Sequence, residues 1–459
     1  MSAQCFLLVL ALFISLYSCY GSLPGHEELP YLSPPGDTIA YPTYLDTVEN
    51  RKAVFSSKFR SLTSDEPEMF GGEGWFDQIS SVKASSEGGN VVNVDNFGAK
   101  ANGKDDSEAF KKAWKQACKT KSAIFVVPKD KKYLLNPTTF SGPCKPNLTL
   151  KLYGTIEASA DRNDYKQDLR HWLIFQNIQN FKVEGGGVIN GNGKIWWKNS
   201  CKTNKAFKCT HAPTAVTFYK CNNLKLNSIK IEDAQQMHVS IQSCVNVQAT
   251  NLMVTAPEES PNTDGIHITA TKNINLANCV IKTGDDCISI ESGSKKVRAT
   301  DITCGPGHGI SIGSLGDSEK IADYVSDVVI DRATLTGTTN GVRIKTYQGG
   351  SGGANNIIFK NIVMKKVSNP IIIDQNYCDK EKPCGVHESA VQVNNVVYKN
   401  IKGTTESEVA IKFDCSKTYP CRGIVLQDVN LVTNTGETAK ASCNNVKLGK
   451  KGKVSPQCS

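Results

Sequence analysis

The chain has 459 residues, of which 39% are hydrophobic and 21% charged, and it carries a formal net charge of +9. This composition is typical of a globular protein with enough apolar residues for a large core. The basic excess would attract a polyanion through long-range electrostatics, although a soluble protein with some additional lysines would show the same charge. No basic block and no RNA- or DNA-binding signature is present, which argues against nucleic acid as the partner.

The N-terminus predicts export. An apolar run from Phe6 to Tyr17 is too short to span a bilayer, and we interpret residues 1–21 as a signal peptide that is cleaved near Gly21. No later segment is long and apolar enough to form a membrane helix. The 17 cysteines are therefore expected to form disulfides, whereas in a cytosolic protein they would suggest metal or redox sites.

Residues 22–88 differ in composition from the residues that follow. They contain six prolines, several acidic residues and a glycine-rich piece at residues 71–74, without a sustained apolar period. We interpret them as a propeptide or a flexible N-terminal arm. The alternative is an ordered extension that packs on the core and is retained. Residues 89–459 are expected to form a single domain.

The start of this domain predicts a strand at Val91–Phe97, followed by a helix. Asp105 and Asp106 lie where the helix would begin, and acidic side chains favour the positive end of a helix dipole. Apolar residues follow at helical spacing, at Phe110, Ala113, Trp114 and Ala117. We interpret the helix as a cap on the open end of a stack, and the two aspartates as capping rather than catalytic residues.

From Ile124 onward strand-like runs dominate, and examples are Ile124–Val127, Leu148–Leu152 and Ala215–Phe218. One phrase recurs in this region: an Asn, an apolar doublet, polar residues, and a second β-branched strand. It begins at Asn223, Asn246, Asn273, Asn356 and Asn395. The first two steps are 23 and 27 residues, and longer later steps indicate loop insertions.

This self-similarity predicts an all-β, single-domain, right-handed parallel β-helix with an N-terminal capping helix. Each coil cannot bury its own apolar face, and stacking coils about 4.8 Å apart pairs their backbone groups. Asn at coil corners tolerates tight-turn backbone angles and can form side-chain ladders.

Four short polar signatures occur in order, each on a different predicted coil. They are Asn262-Thr263-Asp264, Gly284-Asp285-Asp286, Gly307-His308-Gly309 and Arg343-Ile344-Lys345. The step from Asp264 to Asp285 is 21 residues, and the step from Asp286 to His308 is 22. Steps of about one coil would place these side chains together on one face of the stack.

These signatures resemble those of the polygalacturonases of glycoside hydrolase family 28, a group of pectinases, and the similarity is greatest to secreted plant members. Ser260-Pro261 before the first signature, the run from Cys304 to Gly316 and Asn96-Phe97-Gly98-Ala99-Lys100 add to the resemblance. The resemblance extends from about residue 90 to the end of the chain. It implies the parallel β-helix fold and a hydrolase that acts on α-1,4-linked galacturonic acid in de-esterified pectin.

Three neighbouring carboxyl groups suit glycoside hydrolysis. Like-charge repulsion raises the pKa of one of them, so that one group can protonate the leaving oxygen while another activates water. The resemblance implies inversion, with Asp285 as the general acid and with Asp264 and Asp286 as the groups that position water. His308 is expected to neighbour the acid and to influence its protonation.

Arg343 and Lys345 alternate on a predicted strand and therefore point to the same face. Two adjacent cations are unfavourable unless an anion meets them, and a uronate carboxylate is such an anion. The resemblance adds Tyr377 and Asn262 as substrate-binding residues. No metal and no cofactor is expected, and the partner is a pectic polysaccharide.

Most cysteines have a partner nearby in the sequence. The candidate pairs are Cys287 with Cys304, Cys378 with Cys384, Cys415 with Cys421, Cys118 with Cys144, Cys201 with Cys209, and Cys443 with Cys458. A zinc site is the alternative for the close pairs, but the chain has only seven histidines. Cys221, Cys244 and Cys279 occupy similar positions in their phrases and are expected to stack inside as free thiols.

Asn147 begins an Asn-Leu-Thr sequon and is a candidate for N-glycosylation, with an unmodified strand edge as the alternative. We expect a monomeric protein, secreted to the plant cell wall or apoplast, that attacks its polymer internally. Exo action, a pectate lyase on the same architecture and a hydrolase of rhamnogalacturonan are the enzymatic alternatives. A wall-binding or allergen-like protein without turnover is the non-enzymatic one.

Overall fold

The computed structural model describes residues 90–318, 321–379, 384–385 and 387–458. The predicted signal peptide at residues 1–21 and the predicted propeptide or arm at residues 22–88 lie outside the described residues and remain predictions. Helices are few in the described part of the chain: α1 spans Ser107–Lys119 and α2 spans Lys194–Lys198, with 3-10 turns at Val94–Phe97 and Arg162–Tyr165. No described helix combines the length and apolar character needed to cross a membrane.

Thirty strands make up most of the described chain. In order they are β1 Val91–Asn93, β2 Ile124–Val127, β3 Lys132–Leu135, β4 Thr138–Ser141, β5 Thr149–Leu152, β6 Thr155–Ala158, β7 His171–Gln176, β8 Lys182–Glu184, β9 Val188–Asn190, β10 Thr214–Tyr219, β11 Asn222–Asn227, β12 Lys230–Glu232, β13 Val239–Gln242, β14 Val245–Thr250, β15 Met253–Thr255, β16 Ile266–Thr269, β17 Lys272–Ala277, β18 Val280–Lys282, β19 Ile288–Ile290, β20 Lys295–Cys304, β21 Ile310–Leu315, β22 Ala322–Thr336, β23 Asn340–Tyr347, β24 Ser351–Val367, β25 Asn369–Tyr377, β26 Gln392–Thr405, β27 Val409–Asp414, β28 Cys421–Thr433, β29 Lys440–Asn444 and β30 Val446–Ser455.

These strands stack as the coils of a parallel β-helix, which confirms the predicted fold. One sheet has 19 strands, and a second sheet has 11 strands in the order β29-β27-β25-β23-β21-β19-β16-β13-β10-β7-β4. Apolar residues face one another between coils in register: Leu224 pairs with Val247, and Val247 pairs with Ile274. All three are buried in the core that fills the space between the sheets.

The recurring asparagines lie at coil corners. Asn223, Asn246 and Asn273 have φ angles between 56° and 58°, in the left-handed region that Asn tolerates better than most residues. Their side chains form a ladder, because the Nδ2 of each donates to the Oδ1 of its predecessor, at 3.0 Å from Asn246 to Asn223 and 2.7 Å from Asn273 to Asn246. Asn223 in turn donates to Asn180 at 2.8 Å.

The N-terminal end has the predicted capping helix but a shorter first strand. Phe110 and Trp114 of α1 are buried against the first coils, and the indole of Trp114 donates to the carbonyl of Ser141 at 3.1 Å. The predicted strand at Val91–Phe97 is wrong beyond Asn93, because the Asn93 side chain accepts from the N–H of Asp95 and starts a 3-10 turn.

The two aspartates before α1 have structural contacts of different kinds. Asp105 accepts from the N–H of Ser107 at 2.9 Å, in the manner of a helix cap. The Asp106 carboxylate turns away from the helix and accepts from the N–H groups of Lys100 and Ala101 at 2.8 and 3.0 Å. Both side chains organise the N-terminal end of the stack.

Disulfides join the six cysteine pairs that lie close in the sequence. They are Cys118–Cys144, Cys201–Cys209, Cys287–Cys304, Cys378–Cys384, Cys415–Cys421 and Cys443–Cys458. The three other described cysteines are buried thiols, but they do not form one stack. Cys221 and Cys244 are neighbours on successive coils, and Thr271 occupies the equivalent position on the coil after them. Cys279 lies at a different point of its coil, before β18, where the N–H of Val280 donates to the carbonyl of Leu252.

Candidate active site

The candidate site lies on the outer face of the second sheet, where β16, β19 and β21 begin. Each strand starts with the same pattern, an isoleucine, an outward residue and a second isoleucine, and the outward residues His267, Ser289 and Ser311 are in register. Asp264 and Asp286 precede β16 and β19 by the same number of residues. The register therefore brings the signature residues together, as the coil spacing predicted.

Two glycines let the signature loops approach one another. A Cβ on Gly284 would lie 2.0 Å from the carbonyl oxygen of Ser260, and a Cβ on Gly307 would lie 2.6 Å from that of Asp285. Gly307 also has a φ of 137°. The N–H of His308 donates to the carbonyl of Asp285 at 2.8 Å, so the two loops are joined directly beside the carboxyl groups.

Asp285 and His308 form an ion pair, with 2.9 Å between Oδ1 and Nδ1. Burial raises the pKa of Asp285, but the hydrogen bond and charge of His308 and the charge of Lys345 outweigh burial, and the pKa lies below its ordinary value. The hydrogen bond to Asp285 raises the pKa of His308 above its ordinary value and outweighs burial. The second carboxylate oxygen of Asp285 accepts from Asn262 at 3.4 Å.

Asp286 is the anion that lies between the two cations of the fourth signature. Its Oδ1 accepts from Arg343 at 2.9 Å and from the hydroxyl of Ser311 at 2.8 Å, and its Oδ2 accepts from Lys345 at 3.1 Å. The Asp286 side chain is 1% exposed, and those of Arg343 and Lys345 are 13% and 12% exposed. Two adjacent cations need an anion close by, and in this structure the carboxylate of Asp286 is such an anion; contact of Arg343 and Lys345 with a uronate stays a prediction.

Asp264 has its own hydrogen-bond partners on the neighbouring coils. Ser289 donates to Asp264 Oδ2 at 2.8 Å, and Nδ1 of His267 lies 2.8 Å from the same hydroxyl. Burial raises the pKa of Asp264, and the negative charges of Asp285 and Asp286 raise it further. Of Asp264 and Asp285, the raised pKa therefore belongs to Asp264, because Asp285 has a histidine partner whose charge compensates it.

The side chain of Glu291 is a fourth acidic group close to the others. Burial raises its pKa to about 7, against the opposing charges of His267 and Lys345, while Asp264 and Asp286 raise it further. Burial lowers the pKa of His267 itself, but the carboxylate of Asp264, 3.9 Å away, outweighs burial and the pKa is raised. The charges of Glu291, His267 and Lys345 therefore influence one another within the site.

Tyr377 ends β25 next to Lys345. The Nζ of Lys345 lies 5.3 Å from the centroid of the Tyr377 ring. The centroids of the Tyr347 and Tyr377 rings are 5.2 Å apart. Burial raises the pKa of Tyr377 to about 12. All eight residues that the sequence proposed for catalysis or substrate binding lie near one another on this face: Asn262, Asp264, Asp285, Asp286, His308, Arg343, Lys345 and Tyr377.

Sequence reasoning missed the residues that link these groups. Ser289, Ser311, His267 and Glu291 belong to no signature, yet they contact or electrostatically influence the signature residues. One signal could have found the first three, namely the polar residue inside each isoleucine pair, because the pairs recur at the coil spacing.

Ligand atoms of Asp285, Asp286 and His308 lie within 4.8 Å of one another, as they would around a metal ion. Asp286, however, already accepts from two cationic side chains, and their charge would oppose a divalent cation at this place. The candidate glycosylation site Asn147 is exposed, and it lies beside the Asn ladder of the other sheet.

Comparisons with known proteins are consistent with this geometry. The family model for Glycosyl hydrolases family 28 matches residues 118–457. A polygalacturonase of Malus domestica is 52% identical, with 99% of this chain and 98% of that protein covered. Polygalacturonase QRT2 of Arabidopsis thaliana is 59% identical over 80% of this chain and 84% of that protein.

Solved structures show the same fold at low sequence identity. Endo-xylogalacturonan hydrolase from Aspergillus tubingensis superposes with a TM-score of 0.68 and 22% identity, over 79% of this chain and 100% of that one. The polygalacturonase of Erwinia carotovora gives a TM-score of 0.65 and 21% identity, over 76% of this chain and 95% of that one.

Proposed function

The chain belongs to family 28 of the glycosyl hydrolases and is a glycoside hydrolase, and we propose that it is an inverting, endo-acting polygalacturonase. The substrate is the α-1,4-linked galacturonic acid backbone of de-esterified pectin. Two polygalacturonases that are 52% and 54% identical to this chain, over 99% and 82% of it, support the substrate. Endo action is proposed from the resemblance of the signatures to those of plant enzymes.

The observation that carries the proposal is the paired arrangement of the site: Asp285 with His308, and Asp286 with Arg343 and Lys345. Asp285 has a partner, His308, that carries a proton it can transfer. The partners of Asp286 are cations that only donate hydrogen bonds to its carboxylate. Hydrolysis needs two carboxyl groups in such different roles. Carboxylate oxygens of Asp285 and Asp286 lie within 4.8 Å of each other, closer than the about 6.5–9.5 Å that is usual for inverting enzymes. Inversion is therefore proposed from the family resemblance and not from this distance.

We assign the role of general acid to Asp285. In the free protein the pair of Asp285 and His308 holds one proton, because the pKa of His308 is raised and that of Asp285 lowered. A bound uronate would place further negative charge beside Asp285 and raise its pKa, which favours transfer of the proton from His308 to Asp285. Asp285 would then protonate the glycosidic oxygen as the bond breaks.

Asp286 and Asp264 are assigned to the attacking water. Asp286 is oriented by three donors, which fix the position of its carboxyl group. Asp264, whose pKa is raised, would take up the proton that the water loses. His267 contacts the hydroxyl of Ser289, which donates to Asp264, so His267 can share that proton with Asp264.

Arg343, Lys345 and Tyr377 are assigned to the substrate. The bonds to Asp286 and Ser311 leave further N–H donors on Arg343 and Lys345, and both side chains reach the surface of the site. A uronate carboxylate can use these donors, whereas a neutral hexose offers no matching charge. The ring of Tyr377 beside Lys345 can pack against a sugar face.

The principal alternative is a pectate lyase, which uses calcium and removes a proton instead of adding water. The two cations on Asp286 argue against calcium at this site. Secretion to the plant cell wall, as a monomer, is proposed together with the activity. Six disulfides support an oxidising compartment, and the extracellular pectic wall would supply the substrate.

The proposal is tested by assaying the purified protein on polygalacturonate for new reducing ends and for ultraviolet-absorbing, unsaturated products. We expect reducing ends without absorbance, and activity that withstands a calcium chelator. Asp285→Asn and Asp286→Asn should each lower the rate by about a hundred- to ten-thousand-fold. Unsaturated products or chelator sensitivity would instead support a lyase, and binding without new reducing ends would support a non-enzymatic wall protein.

The pH dependence gives a second check. Because the proton of the Asp285–His308 pair is lost as the pH rises through the raised pKa of His308, the rate should fall on the alkaline side. His308→Gln should remove this alkaline limb as well as lower the rate, and a limb that is unchanged in this variant would contradict the assignment.

A further inference from the structure

Two loops that begin on opposite sides of the second sheet are joined by an ion pair. The Nζ of Lys202 lies 2.8 Å from Oδ1 of Asp379, and the two residues are 177 positions apart in the sequence. Lys202 belongs to the loop before β10, at the edge where strands of this sheet begin. Asp379 follows β25, at the edge where they end.

The ion pair therefore crosses the outer face of the sheet. Five strands, β13, β16, β19, β21 and β23, lie between β10 and β25. At a strand spacing of about 4.8 Å, the loops together bridge about 29 Å along the stack. The three aspartates and His308 lie just before β16, β19 and β21, and Lys345 lies within β23, so the contact spans the face on which the candidate active site lies.

Each partner in the pair is placed by a disulfide beside it. Cys201, which precedes Lys202, is bonded to Cys209, and Cys378, which precedes Asp379, is bonded to Cys384. Each disulfide restrains the cysteine next to its ion-pair partner, Cys201 beside Lys202 and Cys378 beside Asp379.

The loop that carries Lys202 is also fixed to the coils at its base. The indole of Trp197 donates to the carbonyl of Ala234 at 3.0 Å, and Thr203 donates to the carbonyl of Trp197 at 2.9 Å. The loop therefore leaves the stack at a defined place and direction.

We propose that Lys202 and Asp379 form a strap across the cleft that opens to admit a galacturonan chain and then closes over it. This inference rests on the proposed polygalacturonase function. Each side chain is 49% exposed, and an exposed ion pair contributes little free energy, so the pair can open readily. A closed strap keeps the cut chain on the enzyme, and the pair thereby determines how many cuts follow one binding event.

The test compares the two ways in which chain cutting is detected. The fall in viscosity of long polygalacturonate reports internal scissions, and the release of short oligomers reports repeated cuts on one bound chain. Lys202→Gln and Asp379→Asn should each lower the ratio of short oligomers to scissions by about two- to fivefold, the range that an exposed ion pair supports. Exchanging the charges, Lys202→Asp with Asp379→Lys, should restore the ratio.

Two controls separate the strap from general effects of charge. Lys111→Gln breaks a comparably exposed ion pair on α1, with Glu108, and should leave the ratio unchanged. Turnover of trigalacturonate should be unchanged in all variants, because so short a substrate needs no strap to stay bound.

An unchanged ratio in both single variants would overturn the proposal. The proposal would also be overturned if Lys202→Arg left the ratio unchanged while the charge exchange failed to restore it. Lys202 would then contact the substrate directly. If the natural protein forms no reducing ends from polygalacturonate, the proposed function fails before the strap is tested, and the two failures are thus distinguishable.

Discussion

The two faces of the stack use the same coil spacing for opposite purposes. On the larger sheet, Asn223, Asn246 and Asn273 lie one above another, and each amide donates to the previous one. On the second sheet, Asp264, Asp286 and His308 occupy equivalent positions on successive coils, but each side chain has a different partner.

The difference follows from charge. An amide has both a donor and an acceptor, so identical residues at the coil spacing satisfy one another. Identical carboxylates cannot, because like charges a few ångströms apart repel. A repeating fold can therefore carry a ladder of asparagines with no other help, whereas its acidic site needs cations and hydroxyl groups from other coils, such as Arg343 and Ser311.

The largest effect on stability should come from removing a cation from the site. Arg343→Gln leaves the buried carboxylate of Asp286 with only part of its compensation, and breaking such a pair costs about 3 kcal/mol of unfolding free energy. Urea unfolding measures the loss.

The matched variant is Arg343→Gln combined with Asp286→Asn, which removes the uncompensated charge. It should regain most of the stability but none of the activity. Equal stability of the single variant and the natural protein would show that Arg343 does not compensate Asp286.

Glu291 should give an effect of at most similar size, and one that depends on pH. Its pKa in the folded protein is raised to about 7, so its contribution to stability is full below the ordinary pKa of a glutamate and is lost as the pH rises through about 7. Glu291→Gln should therefore gain stability relative to the natural protein between pH 4 and pH 8, on the order of 3 kcal/mol.

Urea unfolding at the two pH values measures this difference. The groups that face Glu291 are His267, Lys345, Asp264 and Asp286, and the last two add to its raised pKa. A stability difference that is the same at both pH values would contradict the raised pKa.

The smallest effect is expected on the ladder. Asn246→Ala removes hydrogen bonds to Asn223 and Asn273 and places an alanine at a φ of 58°, which together should cost about 1–2 kcal/mol. Activity on polygalacturonate should be unchanged, since the ladder lies on the other sheet.

Asn246→Gly separates the two contributions, because glycine adopts this φ without strain. It should be as stable as or more stable than the alanine variant. A clear loss of activity in either variant would mean that the two faces are coupled.

The fold was predictable because its signal is repetitive. Asn223, Asn246 and Asn273 mark corners, and the apolar residues after them fall in register. Where one position breaks the repeat, prediction from the sequence failed: Cys279 resembles Cys221 and Cys244 in its phrase but lies before a different strand. The end of β1 was missed for a local reason, the hydrogen bond of Asn93 to the N–H of Asp95.

The candidate site was predictable as a set of residues and not as a set of contacts. Spacing alone indicates that Asp264, Asp285, Asp286 and His308 meet. It does not indicate which carboxylate pairs with His308 and which with Arg343, because that depends on side-chain directions at each strand start. The direction of each pKa shift depends on these pairings, which is why the raised pKa at Asp264 was not foreseen.

Proton NMR of polygalacturonate during digestion tests the central claim most directly, because it observes the configuration of each new reducing end before mutarotation. We expect that the β-anomer forms first, and that Asp285→Asn slows its formation by about a hundred- to ten-thousand-fold while the protein still binds the polymer. If the α-anomer forms first, the carboxyl groups do not act by inversion and the roles assigned to Asp285, Asp264 and Asp286 are wrong.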